Sequence, residues 1–440
     1  MRDIFVTAVV FGYLPFVLSR PYIGIYLWSW LGYMNPHRLS WSFAYDFPFA
    51  FVVGGATLAG VLFWREPRRI PWTRESVLLA LFILWMLVTT FFAFHQGEAW
   101  VQMEKVAKIQ LMIFVTLIVI NTRERLQTMI WVMALSLAFY GVKGGIFTIT
   151  HGGAYSVRGP AGTFIGGDNE IGLALIMTIP LLRYLQLTAK KAWIRHGLSA
   201  AMVLCAVAVI GSQSRGALVG SLAMGIFFWL KSRNKFSTGL LIALATVLIM
   251  AIMPQQWHDR MSTISTYEQD ASAMGRINAW KMAINLANDR PLVGGGFDTF
   301  TGDIYDLYAP NPDDVHDSHS IYFEVLGEHG YVGLALFLAL GIATWRSGSW
   351  VIRQTRRDPD RKWMADLAAM TQVSMIGFAS GGAFLGLANF DLYYHLLSLI
   401  IITKVMLLKE QEGQRAAAPR GAPAMAPEQA GRPQPERGRN

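Results

Sequence analysis

The sequence predicts an all-α polytopic membrane protein of about twelve transmembrane helices. Two observations carry that expectation. Of 440 residues, 53% are hydrophobic and only 15% are charged, less charge than a soluble domain of this size carries. Apolar runs of about 17–25 residues, the length that crosses a bilayer, recur along the chain. They fall at about 4–19, 22–34, 43–64, 77–94, 106–121, 127–149, 169–187, 197–212, 217–230, 237–254, 320–345, 366–388 and 392–408. The single long polar excursion between them is 255–318. Connections of that length are usually functional or disordered, and this one keeps its aromatic and apolar residues, so a folded loop is expected.

Charge sets the orientation. The connections 65–76, 122–126, 188–196, 231–236 and 346–363 are rich in Lys and Arg, and the alternate ones are poor in them. By the positive-inside rule the basic set faces the cytoplasm, and the loop 255–318 falls outside. The net charge of +9 therefore speaks of orientation and not of a nucleic-acid partner. The run 22–34 is too short to span alone. One early segment is accordingly expected to be re-entrant or interfacial, which gives twelve spans with both termini cytoplasmic. Thirteen full spans would put the N-terminus outside.

The membrane-embedded domain is expected over 1–409. The tail 410–440, rich in Ala, Pro, Gly, Gln and Arg, cannot bury enough apolar surface to fold. A lone cysteine, Cys205, excludes an intrachain disulfide. The first apolar run lacks a small-residue cleavage site followed by a soluble domain, so no cleavable signal peptide is expected. Arg183, Asp366 and Lys404 fall near cytoplasmic span ends, where long side chains can snorkel. No clear span carries a midplane charge. Lys143, Glu324 and Glu328 belong to the outer portion.

Three arginines on outer turns can serve an anionic ligand. Arg215 stands in the short turn Gly211-Ser212-Gln213-Ser214-Arg215-Gly216. Small neighbours there leave room for a ligand, although a lone arginine at this depth also holds lipid headgroups. Arg276 opens a helix-like run to Ile284, where a solvated helix end is the plainer reading. Arg158 begins a glycine-rich loop in which Asp168 or Asn169 is a natural helix cap. Together the three can form a bidentate clamp for a phosphate group.

His319 begins the segment near 320, with Asp317 or Ser318 as the expected cap. An imidazole at the outer surface can act as a general base, and a hydrogen-bonded structural histidine is the alternative. His316, His329 and His395 compete with it. Asp303, Asp306, Asp313 and Asp314 are candidate metal ligands, but they lack tight ligand spacing, and neither metal nor cofactor is expected.

These residues carry a resemblance. Arg276 with Trp280, Pro291-Leu292-Val293-Gly294-Gly295-Gly296-Phe297, and His319-Ser320-Ile321-Tyr322 followed by Leu326-Gly327-Glu328-His329-Gly330-Tyr331-Val332-Gly333-Leu334 are similar to the signature of bacterial O-antigen ligases and the related polymerases. The Ser214-Arg215-Gly216 turn resembles their other recurrent arginine. Ser320 departs from the pattern, since the family often has Asn there. The resemblance implies a fold like the C-class glycosyltransferases, with one large periplasmic loop, in the bacterial inner membrane. It implies metal-independent transfer of a glycan from undecaprenyl pyrophosphate to lipid A–core oligosaccharide at the periplasmic face.

In that picture Arg215, Arg276 and Arg158 hold the pyrophosphate and His319 acts on the acceptor hydroxyl. A polymerase remains open, and so does a ligase that glycosylates protein, because 159–169 also resembles O-glycosylation ligases. A transporter of lipid-linked glycans is the reading from another class. Transporters place their sites near the midplane in repeated halves, and this sequence shows neither feature.

Overall fold

The structure is a computed structural model. It describes residues 1–232, 271–417 and the shorter stretches 234–237, 239–240, 243–244, 247, 253–255 and 257. Every regular element among them is helical. In order these are α1 (Arg2–Ser19), α2 (Pro21–Met34), α3 (Phe49–Phe63), α4 (Arg74–Phe91), α5 (Gln96–Val119), α6 (Arg123–Thr150), α7 (Asp168–Thr188), α8 (Ala192–Gly211) and α9 (Arg215–Lys231). They are followed by α10 (Ala271–Asp289), α11 (Gly302–Tyr308), α12 (Ile321–Thr355), α13 (Lys362–Gly381) and α14 (Asp391–Ala417).

Among the described residues, 8 of these helices are long and apolar enough to cross a membrane, and two shorter apolar helices lie over Phe49–Phe63 and Arg215–Leu230. The protein is thus a polytopic all-α membrane protein. The apolar segment expected at 237–254 falls largely outside the described residues. The last helix continues to Ala417, past the boundary expected at 409, and the rest of the expected tail also lies outside.

The bundle has a basic end and an opposite end. At the basic end Arg125 at the start of α6 pairs with Glu66 at 2.5 Å, covers the Tyr22 ring at 4.2 Å and accepts the Tyr26 hydroxyl on its carbonyl. Tyr22 and Tyr26 are the first turns of α2. The far end of α2 meets the start of α14, where Tyr33 shares a 2.7 Å hydrogen bond with His395. So the 14 residues of α2 run from the basic end toward the opposite one.

Arg20 alone joins α1 to α2, and at the start of α1 Asp3 accepts the Ser42 amide beyond the end of α2. The N-terminus therefore lies opposite the basic end, whereas α14 ends at it. A helix of 14 residues is about 21 Å long, short of a bilayer core of about 30 Å.

Close backbone approach builds the interior, as expected where lipid removes the hydrophobic drive between helices. On α6 a Cβ at Gly145 would run into the Leu204 carbonyl of α8, so only glycine permits that contact. Lys404 does not snorkel. It turns inward to Glu75, 3.1 Å away and 1% exposed, and to Ser347 at 2.9 Å. Buried ions must be paired, and this pair ties α14 to α4 and α12.

The most consequential local feature is a break in α12. At Gly330, φ +66° and ψ −169° interrupt the helix. A continuous helix would pair the carbonyls of Gly327 and Glu328 with the amides of residues 331 and 332. Instead they accept the amides of Gly295 and Gly296, at 2.8 and 2.9 Å, and the Tyr331 amide turns to Pro291 at 2.9 Å. The two freed carbonyls and the Tyr331 amide thus find partners, as buried backbone requires. The loop 291–297 also grips α4: Phe94 donates its amide to Gly295 at 2.9 Å, and Arg290 reaches the Phe92 carbonyl at 2.5 Å.

Gly330→Ala would force a side chain into left-handed backbone and against the Leu292 carbonyl. Strain of that kind costs about 1–3 kcal/mol. We expect a clear drop in Tm of the detergent-solubilised protein, and an unchanged Tm would contradict this account of the junction.

Candidate active site

The loop after α10 is held by that helix. Asn278 donates to the carbonyls of Asn311 and Asp314, at 2.8 and 3.0 Å, and accepts the Asn311 amide. Trp280 donates its indole N–H to the Ser318 carbonyl at 2.8 Å and stacks on Phe323 with ring centres 4.9 Å apart. Tyr305 of α11 hydrogen-bonds the His316 carbonyl. Beneath these contacts Ala279, Met282, Leu286, Ile304 and Tyr305 form a small apolar core.

These restraints fix His319. It sits in left-handed backbone, φ +42°, a conformation uncommon for a residue with a side chain and one that turns the chain into α12. The cap of α12 is Ser320, with no side-chain cap bond, not Asp317 or Ser318. Ser318 is buried, and its hydroxyl faces back to the Ser320 carbonyl at 3.3 Å. The cap of α7 is likewise Gly167 and not Asp168 or Asn169; the Glu170 carboxylate occupies the space a side chain at Gly167 would need.

His319 lines a cavity of about 430 Å³ at the end of the bundle opposite the basic connections. The start of α5 contributes His95 and Glu98, α7 contributes Glu170, and α12 contributes Glu324 and Glu328. Asp298, Asp303 and Asp317 complete a wall that carries no Lys or Arg among the described residues. Glu324 accepts the Ala388 amide at 3.1 Å, which anchors the loop before α14. Burial, and then the charge of Arg276, hold the imidazole of His319 below its ordinary value, with Asp317 opposing. The ring is therefore neutral at pH 7.

The other histidines have structural places. His329 is 1% exposed, with Nδ1 on the Thr89 hydroxyl at 2.8 Å and its carbonyl taken by Trp85 at 3.0 Å. His395 is equally buried against Tyr33. His316 pairs with Asp314 at 2.9 Å. His95, which the sequence did not single out, reaches Asp303 at 3.1 Å and Thr301 at 3.2 Å; the Thr301 hydrogen bond is the main cause holding the Asp303 carboxyl below the usual range. So two of the four acids proposed as metal ligands are engaged by histidines.

None of the three arginines is among the described residues that line the cavity. Arg215 is the first residue of α9, behind the cap Ser214, whose hydroxyl donates to Asn169 at 2.6 Å. The next residue, Gly216, lies against Phe384, and Phe384 lies 6.4 Å ring to ring from Trp280. The turn of Arg215 and the helix of Arg276 thus meet at one aromatic contact. Arg158 is exposed on a loop tied to the same turn by the Val157 amide on Gly211 at 2.9 Å and by Gln213 on Gly153 at 3.0 Å.

The helices and the polar cavity at one end define a multi-pass membrane protein with its site at the bundle's mouth. Residues 200–338 match the family described as O-Antigen ligase, which supports membership of the O-antigen ligase family. The match supports an O-antigen ligase- or polymerase-type membrane enzyme, for which lipid-linked glycans and membrane lipids are the partners implied. The matched region holds Arg215, Arg276 and His319. Residues 1–190, which hold Arg158, match a family of unknown function (DUF5935). No curated protein matches the chain.

Exposure to the cavity has a chemical readout. Treatment of the intact protein with diethyl pyrocarbonate at pH 7 should modify His319 and spare His329 and His395, as read by peptide mass spectrometry. Modification of the two buried rings at the same rate as His319 would contradict the described packing.

Proposed function

We propose that the protein is a glycosyltransferase that moves an O-antigen glycan from undecaprenyl pyrophosphate to a hydroxyl of lipid A–core oligosaccharide. The observation that carries this is the place of His319 in the wall of a polar cavity, within the matched region and at the end opposite the basic connections. The positive-inside rule assigns that end to the periplasm of a bacterium with an inner membrane. The N-terminus then lies in the periplasm and the C-terminus in the cytoplasm.

The donor is already activated, so the protein must orient an acceptor and stabilise a leaving pyrophosphate. His319 takes the proton of the acceptor hydroxyl. The oxygen attacks the anomeric carbon, the bond to the pyrophosphate oxygen breaks, and the lipid pyrophosphate leaves with both electrons. One displacement from the opposite face inverts the anomeric centre. Arg215 and Arg276 receive the charge, with Arg158 on the adjoining loop. These guanidinium groups supply positive charge where a metal would otherwise serve, so transfer is expected to continue in excess EDTA. Restoration by Mg²⁺ or Mn²⁺ of activity lost to EDTA would overturn that point.

The test offers purified protein a lipid-linked glycan with lipid A–core, with a second lipid-linked glycan, or with protein. Product on lipid A–core supports the ligase, and product on the others identifies a polymerase or a protein O-glycosylation ligase. Movement of glycan across vesicles with no glycosidic bond formed would establish a transporter instead.

His319→Ala should nearly abolish transfer while donor binding survives. Arg215→Ala and Arg276→Ala should impair donor use severely, with lysine restoring it in part because the planar fork is lost. Wild-type turnover in these variants at normal protein levels would refute the assignments. The pH profile carries a sign. Because the His319 value is lowered, the neutral base persists below pH 6.5, its ordinary value; the rate should hold level through neutrality and fall only at more acidic pH. A fall that begins above 6.5 would contradict it.

A further inference from the structure

We propose that a groove at the basic end of the bundle is a binding site for one anionic phospholipid, held by Arg69 and Lys409. The site lies at the opposite end from the cavity of His319 and goes beyond the transfer reaction. The groove has a volume of about 480 Å³, within the range of small-ligand sites. Three separate parts of the chain line it: the connection from α3 to α4, the end of α5 and the last turns of α14. Among the described residues no carboxylate lines it.

The lining is ordered as a lipid is. Ile402, Val405, Met406 and Lys409 of α14 line the groove, and their spacing of three, four and seven puts them on one helix face. Lys409 thus ends an apolar stripe on the side of the basic connections. Leu117 and Ile118 of α5 add to the apolar part, and Arg69 adds a second cation. A free anion would use the two cations and leave the stripe bare. A zwitterionic lipid would cover the stripe with no net charge to attract. An anionic lipid matches both parts. Basic pockets between spans on the cytoplasmic side bind anionic head groups, and the positive-inside rule puts this end there.

Nearby acids are engaged by other groups. Glu66 pairs with Arg125, and Asn121 completes that cluster, donating to Glu66 at 3.1 Å and accepting from Arg125 at 2.8 Å. Glu410, next to Lys409, pairs with Arg361 at 2.9 Å. The connection is also pinned on both sides of Arg69. Arg68 donates to the Leu62 carbonyl of α3 at 2.6 Å, and the Pro71 carbonyl accepts the Ser76 hydroxyl of α4 at 2.7 Å. A site set in advance loses less freedom when its ligand binds.

The test titrates full-length protein, stripped of lipid in detergent, with phosphatidylglycerol or with phosphatidylcholine of the same chains. Bound lipid is counted by native mass spectrometry. We expect one tight site for phosphatidylglycerol. Arg69→Gln and Lys409→Gln should each weaken it about fivefold, and together about thirtyfold, the scale set by one cation near an anionic lipid surface. Phosphatidylcholine should need about thirtyfold higher concentration for the same reason. Inorganic phosphate at the concentration of the lipid should displace none of it. Both side chains are exposed, so the variants should keep the fold, which the Tm of the lipid-free protein checks. Arg356→Gln with Arg357→Gln removes two exposed cations from the same end but outside the groove, and should leave the tight site unchanged. Unchanged phosphatidylglycerol binding in the Arg69 and Lys409 double variant, an equal loss in the control pair, equal affinity for phosphatidylcholine, or displacement by phosphate would overturn the site.

Discussion

The backbone exchange between the loop 291–297 and the break in α12 is the constraint on which the rest of the site depends. Two carbonyls that a straight helix would satisfy internally are given to glycine amides from another part of the chain. Peptide groups at membrane depth cannot be left bare, so the break exists only with the loop in place, and the loop only with residues that lack side chains. The same loop accepts an amide from the end of α4 and delivers Phe297 edge-on to His329 at 4.7 Å. Three elements distant in sequence are thereby locked at one depth. The cavity opens just beyond them.

This junction explains the division of labour among the polar residues of the signature. Glu328 and His329 are neighbours in sequence, yet one faces the cavity and the other is buried against Thr89 and Trp85. His329 serves as a spacer that fixes α12 to α4, and His319, ten positions earlier in the numbering, is left to face the cavity. The acids and the arginines are likewise separated. Carboxylates line the cavity, and the guanidinium groups stand on the turn of α9 and on α10 behind Phe384 and Trp280.

Much of the fold was legible in the sequence because lipid imposes simple rules on composition. The runs expected at 127–149 and 169–187 appear as Arg123–Thr150 and Asp168–Thr188. The run expected at 106–121 belongs to a helix that begins at Gln96. Its first half carries Glu98, Glu104, Lys105 and Lys108 and was hidden from a search for apolar stretches. That half supplies Glu98 to the cavity. His95 was also missed, because a single histidine after an aromatic run has no spacing to mark it. His319 was found through its motif. Its left-handed backbone could not be read from sequence, and neither could the caps of α7 and α12, where a glycine and an unbonded serine stand in place of the expected residues.

The break at Gly330 has a mechanical consequence. A rod that ran unbroken from the lipid core to His319 would transmit every change in tilt or bilayer thickness to the reacting atoms. Here the outer piece of α12, from Ile321 to His329, is fastened to the loop 291–297 and to Thr89 and Trp85 of α4, and the piece beyond Gly330 has its own anchor on α4, through Ser347 and Glu75. The break thus divides one long helix into two lengths held separately, so the direction of the outer length is set by its own anchors.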